Sequence, residues 1–267
     1  MVRTIIVTGA GSGIGKATAD LLRVRGEEVI GLDLKGADYP VDLSDRSAIE
    51  AVAAQIAQTH DHIDGLVVNA GVSAQNPLAL KVNYFGAIDT IEVFKALLEK
   101  SEAPRISVTA SAASLQPSDP KLLELLLAGK REEAIARGQE LTDQGGMTGY
   151  FNYSTSKRAI AQWVRRQAPT DEYAGKGIPI NAVGPGVVET PMTKELLATE
   201  EGRKATFAAM PAPLNGASHA EDIAALHAFL VSAEFRTMTG QIIYMDSGFD
   251  TLRRGEDIWH APKSMED

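Results

Sequence analysis

The chain has 267 residues, no cysteine and a formal net charge of -9. Without cysteine there is no disulfide framework, no thiol nucleophile and no Cys-ligated metal. The acidic balance argues against nucleic acid and anionic membrane surfaces as partners. The length suits one large α/β domain, and no Pro/Gly/Ser-rich linker or fixed-period repeat divides it. The first apolar run, Ile5-Ile6-Val7, is too short for a signal or membrane segment, so a cytoplasmic protein is expected.

Apolar runs then alternate with helical patterns. Residues 3–8 read as a buried strand and 13–25 as a helix. A second strand covers 28–32, and a short third one ends at Val41. Residues 45–59 are helical, with Ser44 as the expected N-cap. Strand 63–68 follows, then one long helix from Pro77 to about Lys100. Residues 105–110 form a strand, and 153–167 a helix stopped by Pro169. Strands at 178–183 and 241–245 flank a helix that Ser218 and Glu221 open as a capping box. Near-continuous apolar strands between helices predict a doubly wound, Rossmann-type parallel sheet covered on both faces. Ligands in such folds lie beyond the carboxyl ends of the strands.

Thr8-Gly9-Ala10-Gly11-Ser12-Gly13-Ile14-Gly15 links the first strand to the first helix. Small residues there let a pyrophosphate approach backbone N–H groups at a helix N-terminus. The literal G-x-G-x-x-G spacing is not met, because position 14 is Ile; the glycines at 9, 13 and 15 follow G-x-x-x-G-x-G. Gly9, Ser12, Gly13, Ile14 and Gly15 are the expected phosphate-loop contacts. Asp33, 18 residues after Gly15, is placed to accept hydrogen bonds from ribose hydroxyls and to repel a 2'-phosphate. NAD is therefore expected over NADP, with Lys35 softening the preference. Asp42 and Leu43 either border the adenine or, for Asp42, cap the next helix. Asn69-Ala70-Gly71 ends the fourth strand, where small residues admit a cofactor or simply make a turn.

Tyr153 and Lys157 lie four residues apart on one helical face. A cation one turn away favours the phenolate, so Tyr153 is expected to have a lowered pKa and to act as an acid/base. Taken alone, Y-x-x-x-K is a weak signal. Ser111 ends the fifth strand and can donate to a carbonyl oxygen; Ser114 competes with it for that role. Asn83 falls inside the predicted long helix, where asparagine is a poor residue.

Taken together, these motifs resemble the short-chain dehydrogenase/reductase family over nearly the whole chain. They are T-G-x-x-x-G-I-G from Thr8 to Gly15, N-A-G from Asn69 to Gly71, Asn83, Ser111, Tyr153 with Lys157, and P-G-x-x-x-T from Pro185 to Thr190. The resemblance implies Tyr153 as acid/base, with Lys157 holding the nicotinamide ribose and tuning the phenol. It implies Ser111 positioning the substrate oxygen and Asn83 anchoring a water in a proton relay. Pro185 and Gly186 belong to the same cofactor set. Thr190 would contact the nicotinamide amide, and Val188 would do so through its backbone. No metal is implied.

Ser111 and Tyr153 are 42 positions apart, wider than in most of the family. The extra segment, about 117–149, reads as two short amphipathic helices divided near Gly129. This insertion, with V-N-Y-F-G-A at 82–87 and D-Q-G-G at 143–146, resembles a bacterial 3α-hydroxysteroid dehydrogenase/carbonyl reductase subgroup. That resemblance implies a bulky apolar alcohol or ketone as substrate, hydroxysteroid-like or an aryl alcohol. It also implies a homodimer or homotetramer. The insertion's apolar face must be buried on its own chain, a partner subunit or a substrate. Met192, Leu196, Leu197, Phe207 and Met210 form either an apolar lid or an ordinary small core. Thr148, Tyr150 and Phe151 are further pocket candidates. Asp246-Ser247-Gly248 replaces a D-G-G turn, acceptable only where position 247 has negative φ or tolerates strain. The charged tail at 251–267 either frays or packs over a neighbouring active site. A noncatalytic nucleotide sensor on the same fold predicts that a reacting residue is missing, and none is. An enzyme acting on a small polar hydroxy compound remains a second alternative.

Overall fold

A computed structural model describes residues 2–259. The strands are β1 (Thr4–Thr8), β2 (Glu28–Asp33), β3 (Tyr39–Pro40), β4 (Gly65–Val68), β5 (Arg105–Thr109), β6 (Ile180–Pro185), β7 (Val188–Glu189), β8 (Ser218–His219) and β9 (Ile242–Met245). Seven of them form one parallel sheet in the order β3-β2-β1-β4-β5-β6-β9, and β7 pairs with β8 separately. The order reverses between β1 and β4, which opens a crevice at their carboxyl ends.

The helices are α1 (Gly13–Val24), α2 (Arg46–Ile56), α3 (Leu78–Leu80), α4 (Ala87–Leu98), α5 (Pro120–Leu127), α6 (Arg131–Asp143), α7 (Phe151–Gln167), α8 (Glu200–Ala209), α9 (Ala220–Leu230) and α10 (Phe249–Arg254). Side chains of a strand alternate between sheet faces, and β1 shows why the core has two layers. Ile5 and Val7 pack with Ala19 of α1 and Ala228 of α9, whereas Ile6 packs with Ile49 of α2, Ile91 of α4 and Ile160 of α7.

Several sequence expectations shift locally. Ser44 is not the cap of α2: Asp45 is extended there and accepts from Ser47 N at 2.9 Å. Its carboxylate reaches the first-turn N–H, so it takes the position. The box opening α9 also moves one residue, because His219 is the extended cap and Asp222 Oδ2 accepts from His219 N at 2.8 Å. The third strand stops at Pro40, before Val41. The helix expected from Pro77 to Lys100 is interrupted by a π-helical turn, Lys81–Gly86.

The insertion forms the two expected helices, α5 and α6, with Gly129 at φ +70° between them. Asp119 caps α5 and pairs with Arg137 of α6 at 2.8 Å. Leu122, Leu126, Ala134 and Leu141 are buried in the same core as Ile160 and Val164 of α7. Arg131 reaches Asp89 of α4 at 2.6 Å and lies over the Phe85 ring. The apolar face is thus spent on the chain's own α7 and its neighbours. Of the tail at 251–267, residues 251–254 complete α10 and 251–259 are all exposed, Ile258 and Trp259 included, while residues 260–267 lie outside the described set. Among the described residues no helix is long and apolar enough to cross a membrane.

Candidate active site

One cavity of about 310 Å³ lies over the β1/β4 crevice. It brings together Gly9, Ser12, Gly13 and Ile14 of the glycine loop with Asp33, Asp42 and Leu43. Its other wall holds Asn69, Ala70, Gly71, Ser111, Tyr153, Lys157, Pro185, Gly186, Val188 and Thr190. Of the predicted site residues only Gly15 and Asn83 do not line it.

Gly15 acts through packing. A Cβ there would lie 2.1 Å from Gly9 O, so glycine alone lets α1 start against the loop. Gly9 and Gly13 take φ +70° and +52°, which favour glycine. Ser12 caps α1 in extended conformation without a side-chain bond, so the helix's first N–H groups face the loop unoccupied by a cap. Asp33 is held from both sides: Oδ2 accepts from Gly11 N at 2.9 Å and Oδ1 from Leu34 N at 2.6 Å. These bonds fix the carboxylate at the end of β2. Asp42 lines the cavity and accepts from Ser44 N at 2.8 Å, while the cap role falls to Asp45. A close-fitting glycine cradle, an uncapped helix start and a fixed ribose-height carboxylate fit a dinucleotide.

Tyr153 and Lys157 stand on α7 and face Ser111 at the end of β5. Burial holds the Tyr153 phenol above its ordinary pKa, and the neighbouring Ser111 hydroxyl offsets this only in part. The sequence expectation of a lowered value is therefore reversed. Lys157 donates its Nζ to Thr109 O at 3.0 Å, and burial lowers its pKa to about 8. A raised phenol is protonated at neutral pH and can give its proton to a carbonyl oxygen. Ser114, the competitor of Ser111, hydrogen-bonds the Tyr244 hydroxyl at 2.8 Å, away from Tyr153.

Asn83 explains the break in its helix. Its Oδ1 accepts from Val72 N at 2.8 Å and its Nδ2 donates to Val72 O at 3.0 Å. The π-helical turn carries this amide to the strand segment just past Gly71. Gly71 is hemmed in by both groups: a Cβ there would lie 3.2 Å from Asn83 Oδ1 and 3.5 Å from Lys157 Nζ. Sequence reasoning missed Leu34, Val72, Val82 and Thr109 as lining residues. Thr109 was within reach, since it stands two positions before Ser111 on the same strand.

Of the lid candidates, Met192 lines the cavity, whereas Leu197 is buried. A second cavity of about 390 Å³ lies between Gln116, Pro117, Ala208, Ala209, Phe249 and Leu252. Gln116 links the two regions: its Oε1 accepts from Tyr150 OH at 2.6 Å, and the Tyr150 and Tyr153 rings are 5.8 Å apart. Ser247 takes φ +56°, the strained alternative, and its hydroxyl donates to Gly216 O at 2.9 Å.

Glycine loop, fixed acidic residue and Ser-Tyr-Lys cluster on a doubly wound sheet define a nucleotide-dependent oxidoreductase class. A family profile described as "Enoyl-(Acyl carrier protein) reductase" matches residues 9–250. A 3-alpha-hydroxysteroid dehydrogenase/carbonyl reductase of Comamonas testosteroni is 30% identical, covering 94% of this chain and 97% of that one. The crystal structure of a 3-alpha-hydroxysteroid dehydrogenase from Pseudomonas sp. B-0831 with NADH superposes with TM-score 0.83 at 33% identity, covering 96% and 100%. A putative NAD(P)-dependent gluconate 5-dehydrogenase from Beutenbergia cavernae with bound NADP gives TM-score 0.73 at 27%, covering 93% and 97%. The chain belongs to the short-chain dehydrogenase/reductase family of oxidoreductases.

Proposed function

We propose that the protein is an NAD-dependent dehydrogenase/carbonyl reductase for a bulky apolar secondary or allylic alcohol and its carbonyl partner. The observation that carries the chemistry is that Ser111, Tyr153 and Lys157 line one cavity that Asp33 and the glycine loop close at the other end. A bound dinucleotide supplies or accepts the hydride. In the reductive direction Tyr153 gives its phenolic proton to the carbonyl oxygen, and Ser111 donates a hydrogen bond to that oxygen as charge develops. Lys157 holds the ribose and restores the proton with Asn83 through water. In oxidation the proton moves from the alcohol to Tyr153.

Asp33 supports NAD over NADP, because a fixed carboxylate meets ribose hydroxyls favourably and repels a phosphate. The aliphatic and aromatic walls beyond Gln116 support a bulky apolar substrate. The insertion covers α7 and reaches α4, so it changes the surface those helices could offer another subunit, and the assembly we propose is a homodimer or homotetramer. A light-scattering mass at monomer size would refute that assignment.

The test is NADH formation from NAD with 3α-hydroxysteroids, benzylic and allylic aryl alcohols, small aliphatic alcohols and sugar acids. Turnover of a bulky class by the wild type, lost at least about 10³-fold in Tyr153→Phe with NADH binding retained, is the expected result. Turnover confined to sugar acids would replace the apolar reading with a small polar substrate.

A further inference from the structure

His227 of α9 is fully buried and takes no part in the chemistry above. It lies beneath β5, on the face opposite α7: Ile106 and Val108 pack with Ile160 and Val164, whereas Ser107 and Thr109 turn toward His227. Its Nδ1 is 2.7 Å from Ser107 Oγ and its Nε2 is 3.0 Å from Thr109 Oγ1. Thr109 Oγ1 is in turn 3.1 Å from Asn69 Oδ1, and Asn69 Nδ2 is 3.3 Å from Thr8 O.

The direction of every proton in this chain follows from its end. Thr8 O is a carbonyl and can only accept, so it must face the amide nitrogen of Asn69. That turns Oδ1 toward Thr109, whose hydroxyl must donate to it. A hydroxyl has one hydrogen, so Thr109 Oγ1 must accept from His227 Nε2–H. Burial keeps the ring neutral, so it is the Nε2–H tautomer and its Nδ1 accepts from Ser107 Oγ–H. With the ring neutral, each member has one permitted role.

Both ends of the chain matter to the cofactor cavity. Asn69 Nδ2 lies under the glycine loop, 2.8 Å from where a Gly9 Cβ would be and 2.6 Å from that of Gly15. Thr109 also accepts Lys157 Nζ on its carbonyl. We propose that His227 is a positioning residue for the dinucleotide: through Thr109 it locks the Asn69 amide beneath the phosphate loop and steadies the carbonyl that holds Lys157. A neutral imidazole donor on the far face of the sheet thereby sets cofactor affinity. This assignment rests on the dinucleotide-site reading above.

The test is NADH affinity by fluorescence titration, with melting temperature recorded alongside. His227→Leu keeps the volume and removes both bonds; His227→Gln can still donate from Nε2 and accept on Oε1. The Leu variant is expected to weaken NADH about tenfold, and the Gln variant to stay within about threefold of wild type. Should the Leu variant not fold, Thr109→Val deletes the same link from the other side and is expected to show the same loss. The double variant is expected to lose no more than the worse single. A purely structural histidine would lower the melting temperature in the Leu variant and leave NADH affinity intact, which would overturn the proposal. So would Thr109→Val binding NADH like wild type. Wild-type protein that binds neither NADH nor NADPH would overturn the site reading itself and this relay with it.

Discussion

Asp33 shows how a single carboxylate can be oriented in advance of a ligand. An unrestrained aspartate at a strand end would sample rotamers and lose part of its binding advantage to entropy. Here Gly11 N and Leu34 N hold its two oxygens, so it is oriented before any ligand arrives. Asp33→Ala is expected to raise KM for NAD about tenfold and to improve the NADP/NAD ratio of kcat/KM by at least as much. Unchanged discrimination in that variant would remove Asp33 from cofactor selection. That Ser111 and Tyr153 share one cavity was legible from strand-end and helix positions read together with the family motifs, with Ser114 left as a competitor. The direction of the Tyr153 shift was not, because burial depends on the packing of the whole cavity, whereas the four-residue spacing to Lys157 is local. Likewise, Ser44 and Asp45 are both good caps by type. Only the backbone angles at Asp45 decide between them.

The insertion is the element in which sequence and structure agree on form but only the structure assigns a surface. Leucines at helical spacing announce an apolar face, yet nothing local says whether it meets this chain, a partner or a substrate. The answer lies in Gly138, where α6 packs tightly against its neighbours. A Cβ there would lie 2.3 Å from Asn152 Oδ1 and 2.6 Å from Leu80 Cδ1, and both those side chains are fully buried. Helix propensity alone would favour alanine by about 1 kcal/mol. Overpacking into two immobile neighbours costs about 1–3 kcal/mol, so the clash wins. Gly138→Ala is expected to lower the urea midpoint while leaving KM for NAD unchanged, since α6 does not line the cofactor cavity. A stabilised variant would mean that the insertion sits more loosely on α7 than its contacts show. The π-helical turn at Lys81–Gly86 has the same lesson in reverse: Asn83 looked misplaced in an α-helix because its amide serves Val72, 11 residues back.

Across the whole molecule, His227 ties acid stability to the same hydrogen-bonded chain that steadies the cofactor site. No local pattern could show this, because its partners Ser107 and Thr109 lie 120 and 118 residues away. Burial lowers the His227 pKa from 6.5 to about 3, so the folded protein refuses a proton that the unfolded chain accepts. The stability this contributes is complete above pH 6.5. It falls by about 1.4 kcal/mol per pH unit as pH drops toward the folded value, and levels off below it. Carboxylates such as Asp119, which burial pushes up but hydrogen bonds from Arg137 and Leu122 N together hold below the ordinary value, also lose stability in acid. Comparison with His227→Gln cancels that shared loss, because the amide keeps the hydrogen bonds and cannot titrate. Urea unfolding from pH 7 to 4 is expected to show the wild type losing stability more steeply than His227→Gln, the curves diverging by a few kcal/mol at the acid end. The two proteins should bind NADH alike at pH 7, where the imidazole is neutral and both side chains can donate to Thr109. Parallel stability curves would show that the ring takes up a proton in the folded state, which would reverse the Ser107 bond and end the assignment of a neutral imidazole.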